Sequence, residues 1–296
     1  MTLMRRPQSV RDFSYACSAQ TRGGKAIIRL MENTSGRVGL LKRARGYEAE
    51  LAAGASFFDV MIARYGLSID MVGGALENVP RTGPLILIAN HPYGILDGLM
   101  MGHLLNQTRS DFKILANSVF SRAPELHNHI LPISFEETKT ALRLNLATRR
   151  SALDYLGQGG AIGVFPGGTV STGAKPFSHP MDPDWRHFTA RMLAKSDASV
   201  LPVYFDGHTS RMFQIASHLH ATLRIGLLMK EFSKRVDTPV RIVIGKPLGR
   251  DKLQPLITDA KAMMDFLRKA TYELAPEPLK SFDTGYDFDE DRRARR

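Results

Sequence analysis

The chain of 296 residues has one cysteine and no long apolar run. A single cysteine, Cys17, excludes an intrachain disulfide framework and a zinc site built on cysteine ligands. No stretch of about 18 uncharged apolar residues occurs, so the sequence predicts no membrane-spanning helix. The early arginines are not followed by the apolar run of a signal peptide, and no secretory leader is expected.

Acidic residues are outnumbered, with 29 Asp and Glu against 40 Lys and Arg and a net charge of +11. Residues 1–50 hold ten of the basic residues and four of the acidic ones. Such an excess suits an anionic lipid surface, a nucleic acid or an acidic carrier protein, and it also fits a plain solvated face. No nucleic-acid recognition motif accompanies the charge, so no nucleic-acid partner is expected.

Residues 1–65 are expected to form a basic N-terminal helical segment. Residues 1–35 show no clear pattern and are expected to be loosely structured. Over residues 36–65, apolar side chains recur at near-helical spacing among basic ones, as one helix broken near Gly54 or as two. A basic amphipathic helix either lies in a membrane interface or packs on the core, and both interpretations stay open.

From Leu67 onward the chain alternates between strand and helix patterns. Short, continuously apolar runs are typical of strands buried on both faces, and they occupy residues 85–89, 112–116, 130–133, 161–165, 200–205 and 240–244. Helical patterns lie at residues 96–106, 136–156, 185–194, 211–220 and 259–274. This alternation predicts an α/β domain over residues 66–280, with a mostly parallel twisted sheet flanked by helices. Trp185 and Met192–Leu193 are expected in its core, and residues 281–296 form a charged tail.

Polar residues follow the first of these runs, in the order Asn90-His91-Pro92-Tyr93-Gly94-Ile95-Leu96-Asp97. Sites in open α/β sheets gather at the carboxyl ends of the strands. A turn through this segment can bring the Asp97 carboxylate onto one imidazole nitrogen of His91. That contact fixes the tautomer and leaves the other nitrogen to accept a proton. The pair is a candidate general base, although a His and an Asp at this spacing also occur by chance.

A second polar block, Pro166-Gly167-Gly168-Thr169, follows the run over 161–165. Its glycines and hydroxyls either offer N–H groups to an anion or form a plain tight turn. The Gly-Lys-Ser/Thr ending of a P-loop is missing, so this is not a nucleotide-binding loop of that kind.

These blocks resemble, in order, the motifs of the glycerolipid acyltransferases, the PlsC-like lysophospholipid acyltransferase family. The blocks that carry the resemblance are Asn90-His91…Asp97, Phe165-Pro166-Gly167-Gly168-Thr169 and Leu201-Pro202-Val203. The Asn-His-Pro…Gly…Asp-Gly stretch is most similar to the hemolysin-like branch. The resemblance covers roughly residues 70–250.

The resemblance implies an enzyme that moves a fatty acyl chain from acyl-CoA or acyl carrier protein to a hydroxyl of a lyso-lipid. It implies a peripheral protein on the cytoplasmic face of a membrane, and it requires neither a cofactor nor a metal. His91 and Asp97 would be catalytic. The acceptor would be bound by Asn90, Phe165, Pro166, Gly167, Gly168 and Thr169.

Three positions depart from the family's pattern. Five residues rather than four separate His91 from Asp97, and Gly167 stands where the third block usually has glutamate. Phe135 stands where a basic residue usually follows the middle block, a residue associated with glycerol-phosphate recognition. We take Arg122 as the candidate replacement, and Lys113, Arg149 and Arg150 remain open. A site without these charges favours a larger or zwitterionic acceptor over lysophosphatidate.

Two alternatives to the lysophospholipid acceptor remain open. One is O-acylation of a lyso-aminolipid such as lyso-ornithine lipid, and the other is a non-catalytic lipid-binding protein. The pairs His127/His129 and His218/His220 have no acidic residue at ligand spacing, so no metal site is expected.

Overall fold

A computed structural model of the chain describes residues 14–18, 21–136 and 138–288. Its strands form a seven-stranded sheet in the order β1-β7-β6-β2-β5-β3-β4. Neighbouring strands are parallel except β6 and β7, which pair antiparallel. The strands are β1 (Ser68–Gly73), β2 (Leu85–Ala89), β3 (Phe112–Asn117), β4 (Ile130–Ile133), β5 (Ala161–Val164), β6 (Ser199–Phe205) and β7 (Pro239–Ile244). The prediction of an α/β fold with a mostly parallel sheet is confirmed.

Helices cover both faces of this sheet. The helices of the described ranges are α1 (Arg22–Thr34), α2 (Arg37–Ala44), α3 (Tyr47–Ala52), α4 (Phe57–Arg64), α5 (Ile95–Thr108), α6 (Lys139–Gly157), α7 (Phe188–Leu193), α8 (Arg211–Leu219), α9 (Ala221–Ser233), α10 (Arg250–Leu253) and α11 (Ala260–Tyr272). None of the helices in the described ranges is both long and apolar enough to cross a bilayer.

The strand β2 shows why its sequence is apolar at every position. Successive side chains point to opposite faces of a strand. Leu85, Leu87 and Ala89 pack into one apolar cluster with α4, α5 and α9, and Ile86 and Ile88 pack into a second cluster with α6, α7 and α11. Because both faces are covered by helices, no position of this strand is left for a polar side chain.

The predicted core positions at Trp185 and Met192–Leu193 are confirmed, since all three side chains belong to the second cluster. The segment over 36–65 is helical as expected, but it contains α2, α3 and α4 rather than one or two helices. Leu40, Tyr47 and Phe58 from these helices join the first apolar cluster, so this part of the segment packs on the core.

The expectation that residues 1–35 are loosely structured is wrong for residues 22–34, which form α1. The side chain of Thr21 caps this helix by accepting from the Gly24 N–H at 3.0 Å. Near its other end the buried Glu32 accepts from the Ser14 hydroxyl at 2.5 Å and from the Tyr15 N–H at 2.7 Å. These contacts are tertiary, which is why local pattern did not indicate them. Residues 1–13 lie outside the described part of the chain.

Two glycines of α5 offer a test of the packing between α4 and α5. A Cβ added at Gly102 would lie 2.0 Å from the Phe58 ring, whereas a Cβ at Gly98 would meet nothing within 4 Å. Phe58 is buried against Phe112 and cannot move freely. We expect Gly102→Ala to lower the free energy of unfolding by about 1–3 kcal/mol, as overpacking does.

Gly98→Ala is the matched variant, because Gly98 lies on the same helix and an added Cβ there meets no other atom. It is expected to be neutral or to stabilise by up to about 1 kcal/mol through helix propensity. Urea unfolding of both variants measures the difference, and equal stability of the two would contradict this account of the α4–α5 contact.

Candidate active site

The His91 ring lies just beyond the carboxyl end of β2, beside the first turn of α5. Its Nδ1 is 3.0 Å from Oδ2 of Asp97, so the two side chains meet as the sequence predicts. The ring N–H at Nδ1 does not meet the geometry of a regular hydrogen bond with this carboxylate. The imidazole ring also stacks on the phenyl ring of Phe165, with the two ring centroids 4.3 Å apart.

The Asp97 carboxylate is fully buried and is held by the turn that precedes α5. Its Oδ2 accepts from the backbone N–H of Tyr93 at 2.7 Å and from that of Gly94 at 3.0 Å. Gly94 takes a positive φ of 76°, which lets the chain turn back onto the carboxylate. Burial raises the pKa of Asp97, and the contacts with His91 and the two N–H groups oppose part of that rise.

Asn90 joins the carboxyl ends of β2 and β6. Its Nδ2 donates to the carbonyl oxygen of Phe205 at 2.9 Å, and its Oδ1 accepts from the N–H of Phe205 at 2.7 Å. Only 2% of the residue is exposed. The sequence suggested that Asn90 binds the acceptor, but the structure uses its amide to hold two strand ends together.

A second buried carboxylate, Asp182, lies on the other side of His91. Its Oδ1 accepts from the His91 backbone N–H at 3.2 Å and from the Ser171 hydroxyl at 2.5 Å. Its Oδ2 accepts from the indole N–H of Trp185 at 2.9 Å, and its own N–H donates to the Tyr272 hydroxyl at 2.8 Å. The sequence did not single out Asp182, because it lies in an irregular segment outside every motif block.

The glycine block after β5 packs tightly around these groups. A Cβ at Gly167 would lie 3.1–3.2 Å from the Asp182 carboxyl group, so Asp182 places a carboxylate beside the position where the family usually has glutamate. Gly168 has a positive φ of 67°, and a Cβ there would lie 2.7 Å from Nε of Arg186. The guanidinium of Arg186 lies 5.0 Å from the ring centroid of Phe135. Both missing charges of the motif blocks are therefore present nearby, on residues from another segment.

An elongated cavity of about 540 Å³ opens beside His91. Its walls are mainly apolar, from α2, α4, α5, β3 and α9, and its polar wall includes His91, Gly168, Thr169, Arg186 and Arg224. Small-molecule sites are typically of this size and mostly apolar with a few polar groups. A neighbouring cavity of about 310 Å³ shares Phe135, Phe165, Gly168 and Arg186 with it.

Some of the residues expected to bind the acceptor line a cavity, and others do not. Phe165, Gly168 and Thr169 line the larger cavity, and Pro166 lines the smaller one. Asn90 and Gly167 line neither of these two cavities, and Gly167 instead gives room to Asp182.

Three of the four cations considered as replacements for the family's basic residue, Lys113, Arg149 and Arg150, do not line either cavity. Lys113 donates to the Asn128 carbonyl at 2.8 Å, and Arg149 and Arg150 lie on α6, away from the lining of both cavities. The backbone of Arg122 ends a short 3₁₀ helix, and its side chain lies outside the described part of the structure. Sequence reasoning did not identify Arg186 and Arg224, the latter because α9 was not predicted.

Within the described ranges, His, Cys, Asp and Glu form no group of three or more that could hold a metal ion. The His129 ring stacks on Phe112 with centroids 4.8 Å apart, and His218 contacts the Gly173 carbonyl at 3.0 Å. These histidines have packing and backbone partners.

The fold and the His–Asp pair at a strand end are features of an acyl-transferring enzyme. The model of the acyltransferase family matches residues 50–284, so the chain belongs to this family and is an enzyme. This confirms the family resemblance seen in the sequence. The chain is 22% identical over 228 residues to a lyso-glycine lipid O-acyltransferase of Phocaeicola vulgatus, covering 75% of this chain and 78% of that protein.

Among solved structures, the chain is similar to the 1-acyl-sn-glycerophosphate acyltransferase PlsC from Thermotoga maritima. The sequence identity is 16%, the match covers 90% of this chain and 87% of the other, and the TM-score is 0.43.

The raised pKa of Asp97 predicts how an uncharged replacement changes stability with pH. The folded protein holds this proton more tightly than the unfolded chain, so ionisation of Asp97 costs stability as the pH rises through the raised pKa. In Asp97→Asn the amide oxygen still accepts from Tyr93 and Gly94. We expect the variant to be at least as stable as the parent at about pH 7, with its advantage shrinking toward about pH 4.

Asp59→Asn is the matched control, because Asp59 also contacts a histidine, His103, at 2.7 Å but is 46% exposed. Because this carboxylate is solvated in the folded protein, its replacement relieves no burial, and the variant should not be stabilised. Thermal unfolding across the pH range measures both variants, and a loss of stability in Asp97→Asn that is constant with pH would contradict the expectation.

Proposed function

We propose that the chain transfers a fatty acyl group from a thioester to the hydroxyl of a lyso-lipid, with His91 as the general base. The observation that carries this proposal is the His91–Asp97 pair, 3.0 Å apart, at the wall of a mainly apolar cavity. An acyl chain needs an apolar site, and a hydroxyl nucleophile needs a base. Both are found in one place.

In the proposed step, the acceptor hydroxyl attacks the thioester carbonyl carbon while its proton passes to the free ring nitrogen of His91. The tetrahedral intermediate then collapses, the carbon–sulfur bond breaks, and the proton returns to the departing thiolate. Asp97 keeps the proton of Nδ1 in place and stabilises the imidazolium that forms. The chemistry requires no cofactor, and acyl-CoA and acyl carrier protein both supply the thioester.

The backbone around His91 is fixed for this step. Its N–H donates to Asp182 at 3.2 Å, and its carbonyl accepts from the Ser171 N–H at 2.8 Å. The stack on Phe165 covers one face of the ring. These contacts hold the imidazole at the cavity wall before substrate arrives, which reduces the cost of reaching the reactive geometry.

Replacement of His91 tests the proposed base. We expect His91→Ala to lower kcat by about 10²–10⁴-fold, the usual contribution of a general base, with little change in thermal unfolding. The assay follows thiol release and the acylated lipid product with one thioester donor.

His103→Ala is the control, since it removes another histidine paired with an aspartate. His103 lies on the α4-facing side of α5 and lines neither cavity. The activity of His103→Ala should stay near that of the parent. A parental rate in His91→Ala would overturn the proposed mechanism.

A lyso-aminolipid is the acceptor class we favour. Two observations support it: Phe135 replaces the basic residue associated with glycerol-phosphate recognition, and a relative is named a lyso-glycine lipid O-acyltransferase. Arg186 adds one positive charge beside Phe135. The preference against a phosphate head group is therefore expected to be moderate.

The acceptor prediction compares lyso-ornithine lipid with lysophosphatidate, using one donor. We expect kcat/KM to be about tenfold higher for lyso-ornithine lipid, a difference of roughly 1.4 kcal/mol. A clear preference for lysophosphatidate would contradict this choice and leave the acyltransferase assignment standing.

We further propose that the protein works at the cytoplasmic face of a membrane as a peripheral protein. On α1, Ile27 and Leu30 lie one turn apart and are 50% and 66% exposed, and the same helix carries Lys25 and Arg29. Arg29 lines the larger cavity, so α1 lies next to the cavity wall. Exposed apolar side chains on a helix that also carries basic residues suit insertion at an anionic lipid interface.

Vesicle binding tests this surface. The variant Ile27→Ser/Leu30→Ser should bind anionic vesicles at least about tenfold more weakly than the parent, because it removes two apolar side chains. Lys25→Gln should weaken binding to anionic vesicles only, and added salt should reduce that difference.

The matched control is Leu142→Ser/Leu146→Ser, which removes two similarly exposed leucines from α6. Sedimentation with vesicles measures all variants. Equal binding by the α1 and α6 variants would refute the proposed orientation.

A further inference from the structure

Arg224, on α9, is a buried guanidinium in the wall of the larger cavity, and only 7% of the residue is exposed. Nη1 donates to the hydroxyls of Thr172 at 2.6 Å and Ser217 at 2.9 Å. Nη2 donates to the Thr169 hydroxyl at 3.0 Å and to the Val170 carbonyl at 2.7 Å. The guanidinium is therefore fixed against the segment that follows the glycine block.

Two aromatic rings enclose the same guanidinium. Its Cζ lies 4.1 Å from the ring centroid of Phe288 and 5.0 Å from that of Phe213. Phe288 is brought there by the C-terminal segment, where the Tyr286 N–H donates to the Thr172 carbonyl at 3.0 Å. The rings exclude water from Arg224 and leave its charge in a poorly solvated place.

None of these partners carries a full negative charge. Among the described residues no carboxylate forms an ion pair with Arg224, and its Nε–H donates to none of them. Burial lowers the pKa of Arg224, but a guanidinium remains protonated at physiological pH.

Hydrogen bonding alone does not account for an arginine at this position. Hydroxyls and a carbonyl can be bridged by a neutral side chain, which avoids the cost of burying a charge. A buried cation that has no anionic partner among the described residues is expected where a ligand supplies the anion. The cavity beside Arg224 is where such a ligand would lie.

We propose that Arg224 binds the head group of the acceptor and that this group is a carboxylate. The proposal rests on the proposed function, since it concerns the acceptor of the same acyl transfer. An amino acid that is acylated on its amine to form a lipid retains a free carboxylate. The hydroxyl group of that lipid is the group that the enzyme would acylate. Such a molecule carries both the anion for Arg224 and the nucleophile for His91.

The two ends of this site are structurally connected. Thr169 and Val170 accept from Arg224, and the next residue, Ser171, donates its N–H to the His91 carbonyl at 2.8 Å. A carboxylate held at Arg224 is thus placed relative to His91 by one short segment. Positioning the head group in this way orients the distant hydroxyl.

A monoanion fits Arg224 better than a phosphate monoester. Four of the five guanidinium N–H groups already donate to protein atoms, which leaves one charge and one donor for the ligand. A phosphate monoester carries up to about two charges and three acceptor oxygens, and it is usually bound by several donors. Arg186, on the Phe135 side of the cavity, is the competing cation and provides a comparison.

The experiment measures kcat/KM for a lyso-aminolipid, its methyl ester and lysophosphatidate with one acyl donor. The parent should prefer the free acid over the ester by about 10–100-fold, the range of a charge-assisted hydrogen bond. Arg224→Gln should reduce this ratio to near one, and Arg224→Lys should keep part of it. Arg186→Gln should retain the ratio, because it leaves the proposed carboxylate site intact.

Three results would overturn the proposal. The first is an equal kcat/KM of the parent for the free acid and its methyl ester. The second is an equal loss of kcat/KM for the acid and the ester in Arg224→Gln. The third is a loss of kcat/KM in that variant that is greatest for lysophosphatidate. The second result would assign Arg224 to positioning of Thr169 alone, and the third would assign it to phosphate.

Circular dichroism and thermal unfolding check that each variant is folded. If Arg224→Gln does not fold, the acid-to-ester ratios of the parent and of Arg224→Lys still decide the question. A parent that acylates none of the acceptors would contradict the proposed function itself. A parent that acylates all of them without distinguishing acid from ester would contradict only the inference about Arg224.

Discussion

One desolvated carboxylate, that of Asp182, determines how the segments around His91 are arranged. It accepts from the His91 backbone, the Ser171 hydroxyl and the Trp185 indole. A buried carboxylate is costly unless donors surround it, so these three segments are stable only when they converge on it. The end of β2 and the glycine block are thereby fixed relative to each other. This constraint therefore sets the position of the proposed base, His91, relative to the polar wall of the cavity.

The charge pattern of the site shows that chemistry can be retained when motif residues change. Gly167 lacks the carboxyl group usual in the family, yet Asp182 fills the adjacent space. Phe135 lacks the usual positive charge, yet Arg186 covers its ring. Both replacements come from the segment between β5 and α7, so this irregular stretch carries the polar groups that the strand-end blocks have lost.

The sequence revealed those parts of the molecule whose causes are local. The apolar run of β2 follows from burial on both faces, and the short spacing from His91 to Asp97 made their contact predictable. Asp182 and Arg224 could not be found in this way, because each acts through partners far along the chain. The helix α1 was missed for a similar reason, since its end is held by a buried tertiary contact at Glu32.

The C-terminal segment gives the site an order of assembly during synthesis. Its backbone donates from Gly285 to the Asp182 carbonyl at 2.8 Å, and Phe288 covers the guanidinium of Arg224. Both β2 and the glycine block leave the ribosome more than a hundred residues earlier. Until residues 285–288 emerge, Asp287 and Phe288 are missing from the lining of the cavity. A nascent chain therefore contains the proposed base before the lining of the cavity beside it is complete.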